Sequence, residues 1–287
     1  MLSFLHWDPN RALIDWNLPF LGRPILWYGF LFAVGFFFGY LFFVYLLRRY
    51  FSCYPKLISD VKVQSNAVAD RLLLYIIIGT LVGARVGDLL FYQDFVEIQR
   101  DPLSVFKFWE GGLASHGGTL GVLIAIVFFA RRIRVSYPML TLRRILDLAS
   151  PPTAFVAVFI RLGNFMNQEI LGKPSTLPWA IVFEHPASGE SIVPRHPAQL
   201  YEALWYFLVG IFLTLLWKRD PLLKKQGKLV GLFLFLFFTF RFFIEFLKVE
   251  QSTLLSAQSC FTMGQYLSLP FIGLGAWLVL QPKKLAP

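Results

Sequence analysis

The chain alternates between long apolar runs and shorter polar stretches. The run from Trp27 to Leu47 contains no charged residue, and it exceeds the roughly 18 apolar residues that mark a spanning helix. Six further runs follow, at 71–92, 113–130, 148–166, 198–217, 229–247 and 264–281. The pattern predicts an all-α, polytopic membrane protein with seven transmembrane helices in a single integral membrane domain over 1–287. Residues 50–70 read as a polar loop. Pro151 and Pro152 predict a break or a delayed start in the fourth helix. The segment 168–197 is the longest connection on its side and holds Pro174, Pro178, Pro186 and Pro194, which suits a lid, a docking surface or a plain linker.

Composition agrees with this reading, since 56% of the residues are hydrophobic and 32 are Phe. A net charge of +10 raises the question of a nucleic-acid partner. The position of the basic residues answers it. With Arg71 counted in the first inner loop, Lys and Arg number 2, 5, 2, 5, 2, 5, 1 and 2 from the N-terminal segment through the successive loops to the tail. This is the positive-inside alternation, and it predicts an outer N-terminus and a cytoplasmic C-terminus. Basicity is therefore topology, and nucleic-acid binding is not expected. Cys53 and Cys260 fall on opposite sides of the bilayer in this arrangement, so no disulfide between them is expected. MLSFLHWDPNRAL lacks the basic start and compact apolar run of a cleavable signal, so the first span reads as its own insertion signal.

Three arginines remain inside the apolar runs: Arg85, Arg161 and Arg241. Arg161 opens RLGNFMNQEILG (161–172), where Asn164, Asn167 and Glu169 follow at the end of a strongly apolar stretch. An intramembrane arginine is by default a functional-site hypothesis, because its burial is costly without partners. Each candidate also has a structural reading. Arg85 and Asp88, three residues apart, pair on one helical face, with Gly79, Gly83, Ala84 and Gly87 as a packing surface. Arg241 and Glu245, four apart, satisfy each other in the same way. Tyr28, in WYG at the start of the first span, suits an aromatic belt. His116 lies among four glycines that supply flexible backbone, and an imidazole changes charge near neutral pH. RHPAQLYE (195–202) gathers Arg195, His196, Gln199, Tyr201 and Glu202 at the start of the fifth span, where capping explains part of the cluster. Gln265 begins the seventh.

With the predicted orientation, all of these groups fall at the outer ends of their spans. A lipid transporter or flippase needs a polar path through both leaflets, often with repeated halves, and the sequence has neither. An enzyme acting on a phospholipid head group at the outer leaflet would use arginines to bind phosphate through paired hydrogen bonds; another head-group transferase is the alternative within that class. His116, His196, Glu169 and Glu202 lack the local spacing of a metal motif, so no metal and no cofactor is expected.

At these residues the sequence resembles the prolipoprotein diacylglyceryl transferase family. RLGNFMNQEILG carries the resemblance, with WYG (27–29), GAR (83–85), GGLASHGG (111–118), RHPAQLYE, FRFFIE (240–245) and MGQ (263–265) in order along nearly the whole chain. The resemblance implies a bacterial inner-membrane enzyme, working toward the outer leaflet among membrane lipids. It would move the diacylglyceryl group of phosphatidylglycerol to the lipobox cysteine of a prolipoprotein signal peptide. It also implies Arg161, Arg241 and His116 as the catalytic set, and Tyr28, Asn164, Glu169, Gly172 and Glu245 as substrate-binding positions. Arg85, His196, Tyr201, Glu202 and Gln265 stand as further candidates. Two positions depart from the family pattern: Lys173 stands where arginine is usual, and Phe237 where tyrosine is common, so neither is assigned a role.

The expected chemistry places the two guanidinium groups on the phosphate as charge develops on its leaving oxygen. Glu169 and Glu245 are expected to hold those guanidinium groups, Asn164 to hydrogen-bond the head group, and Gly172 to admit a close backbone approach. His116 is the expected proton acceptor for the thiol.

Overall fold

A computed structural model describes residues 4–14, 24–91, 114–222, 225–250 and 260–281. Its seven long apolar helices are α1 (Trp27–Phe51), α2 (Val61–Phe91), α3 (Ser115–Ile133), α4 (Leu142–Met166), α5 (Ala198–Arg219), α6 (Lys228–Ile244) and α7 (Met263–Leu280). Each is long and apolar enough to cross a membrane, so the all-α, seven-span architecture stands. Residues 111–113 of GGLASHGG, and the tail KKLAP, lie outside the described residues.

Two boundaries differ from expectation. The loop at 50–70 is shorter than expected, since α2 already begins at Val61 and its first turns are polar. More instructively, Pro151 and Pro152 lie inside α4, nine residues or more after its start. They do not delay it. The helix continues through the two missing N–H groups, and hydroxyls around them bond to its backbone: Ser150 donates to the Leu146 carbonyl at 2.7 Å and Thr153 to the Ala149 carbonyl at 2.8 Å. These bonds lie on either side of the two carbonyls that the prolines free, those of Asp147 and Leu148, and packed neighbours make such prolines tolerable in a spanning helix.

The chain forms two compact units. One comprises Met1–Phe43 with Leu146–Pro287, the other Val44–Ile145. In the second unit α2 and α3 pack backbone to backbone. A Cβ added at Gly83 would meet the Gly117 carbonyl, and one at Gly87 would meet the Gly117 Cα. Gly79 and Gly121 are opposed in the same way. Small residues at such a seam let two helices approach closely where lipid provides no hydrophobic drive. Gly117 is thus a packing position within α3 rather than the flexible backbone expected around His116.

The first unit adds a small cap of short strands. Strand β1 (Leu5–Trp7) pairs in parallel with β4 (Ile181–Phe183), and β4 pairs antiparallel with β5 (Pro194–Arg195). A hairpin of β2 (Ala12–Ile14) and β3 (Ile25–Leu26) leads into α1. Phe165, Leu171, Ile181 and Phe183 form a buried cluster with Trp7 and Leu200 packed against it. Trp7 also donates to the Phe165 carbonyl at 3.2 Å. The connection 168–197 is therefore no free loop, since its own strands and Trp7 fasten it to the end of α4.

Candidate active site

The site grows from the end of α4. The helix stops at Met166, and the chain then turns through two residues of left-handed backbone, Gln168 (φ 54°) and Ile170 (φ 57°). For a β-branched residue such as Ile170 this conformation is unfavourable, by roughly 1–3 kcal/mol, and persists only where surrounding contacts impose it. Those contacts are present. The Glu169 N–H donates to the Asn164 carbonyl at 2.9 Å, Gln199 donates to the Glu169 carbonyl at 2.5 Å, and the His185 N–H donates to the Gln168 side chain at 2.7 Å. Beyond the turn, Lys173 N–H donates to the Leu247 carbonyl and Val249 N–H to the Leu171 carbonyl.

Gly172 sits where this stitched segment crosses another. A Cβ there would run into the backbone and side chain of His196, and Arg195 donates to the Gly172 carbonyl at 3.1 Å. The close approach that the glycine permits is to the chain's own backbone. Lys173, whose side chain is exposed, takes part through its backbone alone.

Arg161 is buried one turn and a half before the end of α4. Its Nη1 donates to the Asn164 side-chain oxygen at 2.9 Å, and the Asn164 amide donates onward to Glu169 at 3.3 Å. Asn167 also donates to Glu169. On its other side, Arg161 Nε lies 3.1 Å from Oε2 of Glu202, which is fully buried in the second turn of α5. This contact is an ion pair without the alignment of a hydrogen bond, since that carboxylate oxygen accepts none. Tyr206 donates to the other Glu202 oxygen at 3.1 Å and places its ring 6.0 Å from the Arg161 guanidinium carbon.

Lys248 completes the cluster. Counted by sequence as the one basic residue of the last outer loop, it is in fact buried, with Nζ 2.9 Å from Glu245 and 3.8 Å from Glu202. Two cations and two carboxylates thus alternate: Arg161, Glu202, Lys248, Glu245. Opposite charges in this order offset the several kcal/mol that each would cost if buried alone. Gly264, at the start of α7, leaves the space that the Glu245 carboxylate occupies.

These contacts correct two expectations. Glu245 pairs with Lys248 rather than Arg241, and the ion-pair partner of Arg161 is Glu202, with Glu169 acting through Asn164. Arg241 is half-buried in the last turn of α6, where its carbonyl accepts from the Glu245 N–H; among the described residues its guanidinium makes neither an ion pair nor a hydrogen bond. Tyr28, half-buried at the start of α1, stands beside Arg161, Asn164 and Glu169, and its ring contacts Gly163, where a Cβ would crowd it. Phe237 lies flat on Tyr206, ring centroids 3.9 Å apart.

The remaining candidates make contacts of their own. His196 Nδ1 is 3.4 Å from the Tyr201 hydroxyl, which accepts from Trp179 at 2.7 Å. Gln265 forms a capping box with Thr262 and donates to the Phe242 carbonyl at 3.2 Å, tying α7 to the end of α6. In the second unit, buried Arg85 and Asp88 pair at 3.4 Å, and His116 is exposed in the first turn of α3. Among the described residues no three His, Cys, Asp or Glu side chains gather as a metal site. Tyr206 and Lys248 went unrecognised in the sequence. Only the i, i+4 spacing of Glu202 and Tyr206 hinted at the first, and nothing local marked the second.

A family model described as prolipoprotein diacylglyceryl transferase matches residues 17–281. The chain belongs to the prolipoprotein diacylglyceryl transferase family. Relatives named phosphatidylglycerol–prolipoprotein diacylglyceryl transferase include one from Protochlamydia amoebophila, 34% identical over 97% of this chain and 95% of its own length. A relative from Porphyromonas gingivalis is 38% identical over 98% and 96%, and one from Tolumonas auensis is 41% identical over 98% of each. The similarity to this transferase family covers the buried charge cluster as well as the spans around it.

Proposed function

We propose that this protein transfers the diacylglyceryl group of phosphatidylglycerol to the lipobox cysteine thiol of a prolipoprotein, the first step of bacterial lipoprotein maturation. The alternation of basic loops supports a multi-pass arrangement in the inner membrane with the N-terminus outside and the C-terminus in the cytoplasm. In that arrangement Arg161 and Arg241 stand toward the outer leaflet. One observation carries the reading. Arg161 is fixed by partners on two sides, while the guanidinium of half-buried Arg241 has none among the described residues. A pair consisting of one anchored and one unclaimed guanidinium suits a phosphodiester anion.

In the reaction the cysteine sulfur loses its proton to His116 and attacks the glyceryl methylene carbon. A carbon–sulfur bond forms, the carbon–oxygen bond to phosphorus breaks, and the electron pair stays on the phosphate oxygen. Glycerol phosphate leaves, and the proton passes from imidazole to solvent. Arg161 and Arg241 stabilise the charge that builds on the phosphate, where one lost donor costs about 3–4 kcal/mol. Glu202 and Lys248 act as positioning residues. Asn164 orients Arg161 against Glu169, Tyr28 borders the head group, and Gly172 allows the crossing that holds the turn. The cap formed by 168–197 serves as the docking surface for the signal peptide.

The test is purified protein in phosphatidylglycerol vesicles with a lipobox peptide. A peptide mass gain of one diacylglyceryl unit is expected; lipid movement between leaflets with no modified peptide would overturn the reading in favour of a flippase. His116→Asn is expected to slow transfer about a hundredfold, and an unchanged rate assigns the base elsewhere.

A further inference from the structure

In the other unit basic residues also gather where the early part of α2 meets the end of α3. A cavity of about 390 Å³ opens there, lined by Arg71, Tyr75, Phe129, Arg132, Ile133 and Ser136 among others. Its size falls within the roughly 300–1,000 Å³ of small-molecule sites. Arg71 stands where the polar first turns of α2 give way to its apolar run, and Arg132 stands just past the apolar run of α3. Tyr75 lies one turn deeper than Arg71 and Phe129 about one turn deeper than Arg132. Their rings meet edge to face at 5.5 Å. From rim to floor, the cavity therefore passes from guanidinium to aromatic surface across the polar–apolar boundary of the helices.

No lining residue is acidic, and among the described residues the side chains of Arg71 and Arg132 make neither an ion pair nor a hydrogen bond. Loop topology accounts for a positive charge at both positions, and the helix dipole for the arginine at the end of α3. Neither reason brings the two guanidinium groups to the rim of one cavity with an aromatic floor. We propose that this cavity binds the phosphate of an anionic phospholipid, with the guanidinium groups on the phosphate oxygens and the first carbons of the lipid against Phe129 and Ile133. A basic pocket between spanning helices at the membrane face is chemically suited to such a head group. The lipid held here is bound and not consumed.

Full-length protein in detergent is labelled with a photoactivatable phosphatidic acid, and the labelled peptides are mapped by mass. Label within 129–136 is expected, at least tenfold above that from a matched phosphatidylcholine probe. Arg71→Gln with Arg132→Gln is expected to lower it at least tenfold, with peptide lipidation at saturating phosphatidylglycerol unchanged. The paired lysine variant, Arg71→Lys with Arg132→Lys, keeps the loop charge that sets topology and is expected to fall between the two. Equal labelling by phosphatidylcholine, or labelling indifferent to the glutamine pair, would overturn the proposal. So would full competition by millimolar inorganic phosphate, which would make the cavity a site for free anions.

Discussion

The end of α4 and the seam between α2 and α3 solve the same problem, burying polar groups among apolar helices, by opposite means. At the seam, side chains are removed: Gly79, Gly83 and Gly87 face Gly117 and Gly121, and backbone meets backbone. At the end of α4, side chains are multiplied: Arg161, Asn164, Glu169, Glu202, Tyr206, Glu245 and Lys248 pair with one another. Close packing of glycines is rigid and chemically inert. A charge cluster is equally ordered, but it retains donors that a ligand can use. The comparison suggests that the cluster is there for chemistry and the seam for architecture.

Mutations separate the two. The largest effect is expected for Glu202→Ala, which leaves Arg161 without its carboxylate and Lys248 with Glu245 alone; loss of about 3–5 kcal/mol of stability is expected for a broken buried pair, read as thermal unfolding in detergent. Unchanged unfolding would mean that the ion pair is dispensable. Arg161→Lys comes next. It keeps the charge and loses the fork, and transfer to a lipobox peptide should fall by about 3–4 kcal/mol, several hundredfold, with little change in unfolding. Normal transfer by an inserted lysine variant would remove the phosphate argument. Gly83→Leu should do the reverse, costing about 1–3 kcal/mol of stability through overpacking and affecting transfer only in proportion to folded protein. A loss of rate without a loss of stability would give the seam a part in chemistry. The smallest effect belongs to Tyr201→Phe, which removes hydrogen bonds to Trp179 and His196; about 0.5–1.5 kcal/mol of stability is expected, with transfer near that of the parent. A hundredfold drop in transfer would return Tyr201 to the site.

Much of the fold was legible in the hydrophobic runs, because spanning helices must be about as long as the bilayer is thick. Pro151 and Pro152 misled, since the rule that proline ends helices holds best where water competes for the freed carbonyls. Sequence placed Arg161 and Arg241 as the groups that needed explaining. It could not pair them. The nearest opposite charge in sequence, Glu245 for Arg241, lost to Lys248, and Arg161 reached Glu202 on the next helix, because tertiary contacts decide partners wherever several charges share one cluster. Lys248 illustrates the limit: counted in a loop, a lysine reads as solvated, and only the backbone bridge between Gly172 and Lys248 carries it inside.

That bridge has a consequence for biosynthesis. The turn after Met166 emerges from the ribosome well before the residues that hold it, since Gln199 belongs to α5 and Leu247, Lys248 and Val249 follow α6. An unfinished chain ending before Leu247 would carry Arg161 and Glu202 but lack both the cation and the strand-like partner that close the cluster. The cluster can therefore close only once the residues after α6 have been made.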